Sequence, residues 1–191
     1  TGTGGLLWTS KDLRTWDGPR WILELDTASW MGRHPQIWAA EIHPYRGKYY
    51  YFATFTNNDI TIDSTANGRI PRRATHILMS DRPDGPYRQA GDPVYLPAHE
   101  ATLDGTLWVD TDNHPYMVYC HEWLQTGDGT VEMMQLTDDL TGSLYSSRLL
   151  FRASDSPWSL DSKADSANVA MSRHRRSDGT WPNVVTEIGR A

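Results

Sequence analysis

The sequence predicts an all-β protein, with a β-propeller favoured over a β-sandwich, on three observations. Short segments rich in aromatic and β-branched residues alternate with turn residues. Similar hairpins return at a spacing of roughly 55–60 residues, which suits propeller blades of four strands with lengthened loops. No long stretch shows the apolar periodicity of a helix. A β-sandwich, whose strands need not repeat in fours, is the alternative.

The first repeated feature is a strand followed by a hydroxyl residue and an aspartate. Leu6–Thr9 leads into Ser10 and Asp12, and the same order returns at Ser80 and at Thr137. In such turns the hydroxyl and the carboxylate accept hydrogen bonds from nearby backbone N–H groups. The pattern therefore predicts equivalent strand ends along the chain.

The second repeated feature is a tight hairpin. One hairpin is predicted to turn at Arg46-Gly47, and another at Asp112-Asn113, between the apolar runs Thr106–Val109 and Tyr116–Tyr119. Between the two hairpins, the polar segment Asn57–Arg73 predicts a long loop. Loops of this length are commonly functional or mobile.

The C-terminal part of the sequence changes character. From residue 161 to residue 191 the strand alternation and the regularly placed aromatic residues are lost. We therefore predict a partial propeller over residues 1–160, followed by a tail that is a flexible extension or the product of a shifted reading frame. The abrupt start at Thr1 predicts that the chain begins partway through a longer protein.

Composition limits the possible partners. The formal net charge is −6 and the pI is near 5.6, which argues against nucleic acid because phosphate binding needs a basic face. No apolar run approaches the ~20 residues that span a bilayer, and the single cysteine, Cys120, excludes an internal disulfide. Nine Trp and nine Tyr against three Phe suit clefts that stack on sugar rings. The sequence predicts no cofactor, although it does not decide whether a metal ion lies in a central channel. It gives no prediction of the oligomeric state.

Three stretches carry candidate chemistry. Asp104 lies at the mouth of a predicted strand, beside Gly105, where a carboxylate can face a cleft or merely begin a turn. In the block that contains Trp38, residues two apart share a strand face, so Glu41 and His43 point the same way. The two side chains can hydrogen-bond a polyhydroxylated ligand, or pair with each other at the surface.

The third stretch is His121-Glu122, which follows a predicted strand. Its side chains can join the same cleft, since consecutive hairpins of a propeller bring their loop ends to one face, or be solvated at a strand edge. By contrast, Asp110-x-Asp112 resembles a calcium loop only superficially. The Gly and the Glu that such a loop requires are replaced by Pro115 and His121, which leaves a turn.

Motifs for several other reaction classes are absent from the sequence. It contains no Cys/His cluster with zinc spacing, no G-x-S-x-G elbow and no phosphate-binding G-x-x-x-x-G-K-S/T. An acidic, aromatic-rich β scaffold fits carbohydrate chemistry better, because two carboxylates can perform its proton transfers.

Three motifs also appear in series along the chain. They are Ser10-Lys-Asp-Leu-Arg-Thr-Trp16, then Trp38-Ala-Ala-Glu-Ile-His43 with Gly47-Lys-Tyr-Tyr50, and then Leu103-Asp-Gly-Thr-Leu-Trp-Val-Asp-Thr-Asp112 with Pro115-Tyr116. Together they resemble glycoside hydrolase family 43. The resemblance implies an incomplete five-bladed β-propeller, with about three blades present. It also implies an inverting glycosidase that acts on arabinan, xylan side chains or related linkages.

The same resemblance implies roles for individual residues. Asp104 matches the acid that raises the pKa of the general acid and orients the substrate. The general base is expected upstream of Thr1, and Glu187 lacks the Gly-Pro context of the family's general acid. The carbohydrate substrate favours a secreted or periplasmic protein, and a non-catalytic, sugar-binding propeller is the alternative. The substrate-binding candidates are Trp38, Glu41, His43, His121 and Glu122.

Overall fold

The computed structural model describes residues 4–32, 36–89 and 99–155, and nearly all of its regular structure is strand. Within these ranges the helical segments are a short helix α1 (Trp123–Thr126) and a 3-10 turn (Ala153–Asp155). None of the described helices is long and apolar enough to cross a membrane. The predicted boundary near residue 160, the tail from residue 161 to residue 191, and Glu187 lie outside the described residues.

The strands form three sheets in the described part of the chain. In chain order they are β1 (Leu6–Thr9), β2 (Asp17–Trp21), β3 (Leu23–Glu24), β4 (Gln36–Tyr45), β5 (Lys48–Thr65), β6 (Gly68–Ser80), β7 (Tyr87–Gln89), β8 (Thr102–Val109), β9 (Pro115–His121), β10 (Thr130–Gln135) and β11 (Arg148–Arg152). β1 pairs with β2, a five-stranded sheet has the order β3-β7-β6-β5-β4, and a four-stranded sheet has the order β11-β10-β9-β8. Neighbouring strands are antiparallel except for the parallel pair of β3 and β7.

The predicted turns connect these strands. After β1, Asp12 Oδ1 accepts hydrogen bonds from the backbone N–H groups of Arg14 and Thr15 at 2.9 and 2.8 Å. The β4–β5 hairpin turns at Arg46-Gly47, whose φ values of 45° and 78° are the left-handed pair that a tight hairpin needs. The Asp112-Asn113 turn joins β8 to β9. These sequence-based turn predictions are confirmed.

The predicted loop over Asn57–Arg73 is wrong. β5 continues to Thr65 and β6 begins at Gly68, so the segment is the distal half of a long β-hairpin. Ile60 and Ile62 are half-buried and alternate with exposed neighbours, as expected for a strand with one covered face. Polar residues at the intervening positions, and two irregularities in the β5–β6 register, concealed this alternation in the sequence.

The five-stranded sheet is covered on both faces. Successive side chains of β5 point to opposite sides, so Tyr50 and Phe52 enter one apolar cluster while Tyr51 and Phe55 enter another. The first cluster lies against the four-stranded sheet and comprises Tyr50, Phe52, Ile77, Met117, Tyr119, Met134, Leu136 and Leu140. The second comprises Ile22, Leu23, Met31, Tyr51, Ala53, Phe55, Leu78 and Tyr87. A sheet packed on both faces is what a propeller blade requires.

The five-stranded and four-stranded sheets are joined at a bulge in β8. The strand begins at Thr102, so Asp104 lies inside it rather than at its mouth, and the register with β9 shifts at this point. Asp104 has a left-handed φ of 54°. Its N–H donates to Thr54 Oγ1 at 2.8 Å, and the Gly105 N–H donates to Thr75 Oγ1 at 3.0 Å. A Cβ at Gly105 would lie 2.7 Å from Thr75 Cγ2, so glycine permits this close approach.

Candidate active site

Asp104 is the carboxylate around which the candidate site is built. Its Oδ1 is buried and has no hydrogen-bond partner among the described residues. Burial raises the pKa of Asp104, the positive charge of Arg73 lowers it and the negative charge of Glu41 raises it, so these three groups share one environment. The net result is a pKa above that of a free aspartate. Burial, with a contribution from Asp104, also raises the pKa of the Cys120 thiol to about 12, which makes it a poor nucleophile.

Glu41 and His43 form a polar pair on one face of β4. His43 Nε2 lies 2.8 Å from Glu41 Oε2, which confirms that the two side chains point the same way. Thr106 of β8 donates its hydroxyl hydrogen to the same carboxylate oxygen at 2.7 Å, which connects the two sheets. The Glu41 side chain is 47% exposed. The pair is therefore accessible to a polar ligand while remaining close enough to influence Asp104.

Arg73 is the residue of this site that the sequence analysis missed. Its guanidinium lies 4.4 Å from the centre of the Trp38 ring, and its Nε donates to Thr56 Oγ1 at 3.1 Å. Its Nη1 forms an ion pair with Glu122, and the two side chains are only 14% and 2% exposed. Arg73 thus contacts both Trp38 and Glu122, and its charge also acts on Asp104, so these four residues belong to one site. The only sequence signal was its position in a basic pair at the end of the supposed loop.

His121 lies in a different cluster. Its Nδ1 is 3.2 Å from Glu132 Oε1, and its Nε2 is 3.3 Å from Gln125 Oε1. None of the described hydrogen bonds of His121 is to Trp38, Glu41, His43 or Asp104. Glu122, the next residue, belongs to the group around Asp104 through its ion pair with Arg73.

The stretch that superficially resembled a calcium loop is a turn. Asp110 Oδ1 accepts hydrogen bonds from the backbone N–H groups of Asp112 and His114 at 3.0 and 2.7 Å. These bonds lower the pKa of Asp110 although burial opposes them. The carboxylate thus fixes the β8–β9 connection, as the sequence predicted.

The groups around Asp104 suit the binding of a polyhydroxylated ligand. The exposed carboxylate of Glu41 and the half-buried imidazole of His43 can exchange hydrogen bonds with hydroxyls. The unpartnered oxygen of Asp104 is a further acceptor. Because this acid is desolvated and has an elevated pKa, it can hold a proton, or raise the pKa of another acid placed beside it.

Comparison with known proteins identifies related structures. The profile of glycosyl hydrolases family 43 matches residues 2–167. The chain is similar to the endo-arabinase from Bacteroides thetaiotaomicron VPI-5482, with 33% identity, a TM-score of 0.67, and coverage of 80% of this chain and 49% of that one. It is also similar to the endo-1,4-beta-xylanase of the same organism, with 23% identity, a TM-score of 0.58, and coverage of 84% and 48%. No curated protein sequence matches the chain.

A third solved structure, a thermostable family-43 glycoside hydrolase, has 18% identity, a TM-score of 0.58, and coverage of 78% of this chain and 46% of that one. The chain spans about half the length of these three structures. Their likeness confirms the predicted all-β, propeller-type fold and its partial extent. The matched range contains Asp104 and the other residues of the site built above.

Proposed function

Because the chain belongs to glycosyl hydrolases family 43, we propose that it supplies part of the active site of an inverting glycosidase. The proposed substrate is arabinan, which is supported by the 33% identity to an endo-arabinase, and xylan-type linkages are the second choice. The observation that carries the proposal is the state of Asp104. Its carboxylate is desolvated, has an unpartnered oxygen and is influenced by both Arg73 and Glu41.

Inverting hydrolysis requires one carboxylic acid that is protonated and one carboxylate that activates water. A third carboxylate beside the acid disfavours the acid's ionisation and keeps it protonated near neutral pH. We assign this third role to Asp104. Its backbone is held by the Thr54 hydroxyl, so the position of the carboxylate is set by the joint between two sheets rather than by a free loop.

The exposed polar pair forms the proposed wall of the sugar site. Glu41 already accepts hydrogen bonds from protein groups at 2.7 and 2.8 Å, which keeps its carboxylate oriented. One face of the Trp38 ring is covered by Arg73, so the stacking surface left for a sugar is its other face or its edge. Glu122 acts indirectly, by holding Arg73 in place through their ion pair.

The test compares two aspartate variants in the product of the complete gene. Asp104→Asn is expected to lower kcat/KM on debranched arabinan about 100-fold, within the range of a lost electrostatic contribution to catalysis. It should also move the alkaline limb of the pH profile to lower pH, because the general acid loses a neighbouring negative charge. Asp110→Asn, in a turn at the far end of β8, is the matched control and should retain full kcat/KM.

Equal kcat/KM for the wild type and Asp104→Asn would refute the assigned role. Faster hydrolysis of xylan than of arabinan would refute the preferred substrate while leaving the reaction class intact. If calorimetry shows that the wild type binds arabino-oligosaccharides but assays detect no hydrolysis, the non-catalytic, sugar-binding alternative is supported instead.

A further inference from the structure

The cluster around His121 contains the side chains of a metal site. Glu100 precedes β8, His121 ends β9 and Glu132 lies in β10, and one ligand atom from each lies within 4.8 Å of the others. In the strand register His121 stands opposite both Thr102 and Thr130. Residues directly opposite each other share a face, so these side chains converge on one side of the sheet.

The cluster carries more negative charge than its protein partners balance. The ion-pair partner of Glu132 is His121, and that of Glu100 is the exposed His99, 3.9 Å away; neither acid pairs with Lys or Arg in the part of the chain that the structure describes. Glu100 Oε2 is buried without a hydrogen-bond partner there, and so is the hydroxyl of the fully buried Thr102. Unsatisfied buried acceptors are costly and point to a ligand.

The orientation of His121 also points to a cation. Gln125 Nε2 donates to the backbone oxygen of His99 at 2.8 Å, and Gln125 Oε1 accepts from the Ala101 N–H at 2.6 Å, so this amide has one orientation. Its Oε1 therefore requires His121 Nε2, 3.3 Å away, to be the donor. In the neutral ring, Nδ1 then presents a lone pair to Glu132 Oε1 at 3.2 Å, and that oxygen is also an acceptor. A proton or a metal ion must lie between them.

We propose that Glu100, His121 and Glu132 bind one divalent transition-metal ion. One imidazole and two carboxylates are the donors that Zn²⁺ and Mn²⁺ accept. Two ligand atoms about 2.1 Å from one ion lie about 3.0–3.4 Å apart, and the Nδ1–Oε1 distance of 3.2 Å satisfies this. Gln125 then holds the second ring nitrogen, as the outer partner of a metal-bound histidine does.

The proposed site is accessible and separate from the glycosidase chemistry. A cavity of about 460 Å³ is lined in part by Glu100, His121 and Gln125, which gives an ion a route from solvent. No hydrogen bond or ion pair in the described part of the chain joins the cluster to Asp104, Glu41 or Arg73. The proposal therefore does not depend on the proposed function, and its test uses metal binding rather than hydrolysis.

The experiment is calorimetric titration of the EDTA-stripped, redialysed chain with ZnCl₂ and with MnCl₂. We expect one ion to bind per chain, and we expect Glu100→Gln and Glu132→Gln each to weaken binding at least about tenfold. Glu100 makes no described hydrogen bond, so its variant should fold like the wild type, which circular dichroism checks. Asp112→Asn is the matched control, because Asp110, Asp112 and His114 form the second, exposed cluster of potential ligands.

A second measurement locates the ion without a substitution in the site. Substoichiometric Mn²⁺ should broaden the imidazole NMR signals of His121 before those of His43 and His114. The proposal is overturned if neither ion binds, if Glu100→Gln and Glu132→Gln bind as tightly as the wild type, or if Asp112→Asn abolishes binding. Preference for Mg²⁺ or Ca²⁺ over both ions would overturn the assignment of an imidazole ligand.

Discussion

Two groups of carboxylates beside the four-stranded sheet have different charge partners. In the first group, Glu122 and Asp104 share the positive charge of Arg73. In the second, Glu100 and Glu132 lie near hydroxyl and imidazole groups but have no described Lys or Arg partner. The first group is thus balanced by a guanidinium, and the second is left negative.

This difference suggests what each group can do. The guanidinium of Arg73 offsets negative charge around Asp104, whose own pKa is set by burial, by Arg73 and by Glu41. The second group has no described Lys or Arg partner, so an external cation can bind there. Five substitutions in four experiments test the comparison, beginning with the largest expected effect on the free energy of unfolding.

Arg73→Met should destabilise the chain most. It leaves the carboxylate of Glu122, only 2% exposed, without its partner, and breaking a buried pair costs about 3–5 kcal/mol. Urea unfolding followed by tryptophan fluorescence measures the loss. The double variant Arg73→Met/Glu122→Leu should recover most of it. Arg88→Met, whose partner Glu24 is 61% exposed, is the control and should cost less than about 1 kcal/mol. Equal losses at Arg73 and Arg88 would show that the buried pair is not special.

Asp104→Asn should stabilise the chain at neutral pH while it reduces activity. The pKa of Asp104 is raised above 3.8 in the folded state, so its ionisation disfavours folding. Below pH 3.8 the wild type and the variant should be equally stable. As the pH rises through the folded-state pKa, the wild type should lose stability that the variant retains. Urea unfolding at pH 3 and at pH 7 gives the comparison, and a variant that is less stable at pH 7 would contradict it.

Glu132→Gln and Glu100→Gln should differ in metal-free buffer. Glu132 accepts hydrogen bonds from the hydroxyls of Tyr119 and Thr130 at 3.2 and 3.1 Å, so its variant should lose about 1 kcal/mol. Glu100 has no such bond in the described structure, and its variant should stay within about 0.5 kcal/mol of the wild type. Thermal unfolding in EDTA provides the measurement. A larger loss at Glu100 would mean that its carboxylate already has a partner.

Glu41→Gln should have the smallest effect on stability. Its pair with His43 is exposed, and such pairs contribute less than about 0.5 kcal/mol. Its informative effect is on Asp104, because removal of the Glu41 charge should lower the Asp104 pKa. The carboxyl signal of Asp104, followed by NMR against pH, should titrate at lower pH in the variant. An unchanged midpoint would show that the two acids do not interact.

The site could be predicted from the sequence only where its residues are contiguous. Asp104 stood out because the acid, the glycine and the following strand are adjacent in the chain. Arg73 could not be recognised, since its contacts with Trp38 and Glu122 depend on how three distant segments pack.

The fold was predictable where turns and apolar runs coincide. The turn at Arg46-Gly47 follows from a glycine that tolerates a left-handed φ between two aromatic strands. The distal part of the β5–β6 hairpin was not predicted, although Ile60 and Ile62 alternate with polar residues and Asn67-Gly68 is a turn signal. Only one face of this extension is covered, and that incompletely, so polar residues outnumber the apolar ones that identify a strand.

Two backbone amides at the β8 bulge can also report when neighbouring blades separate. The amides of Asp104 and Gly105 donate to threonine hydroxyls of the adjacent sheet, Thr54 and Thr75, rather than to a strand of their own sheet. Fraying of β8 from β9 leaves these bonds intact, whereas parting of the two sheets breaks both. Hydrogen–deuterium exchange at these two amides therefore reports the rate at which neighbouring blades open, separately from the unravelling of either blade.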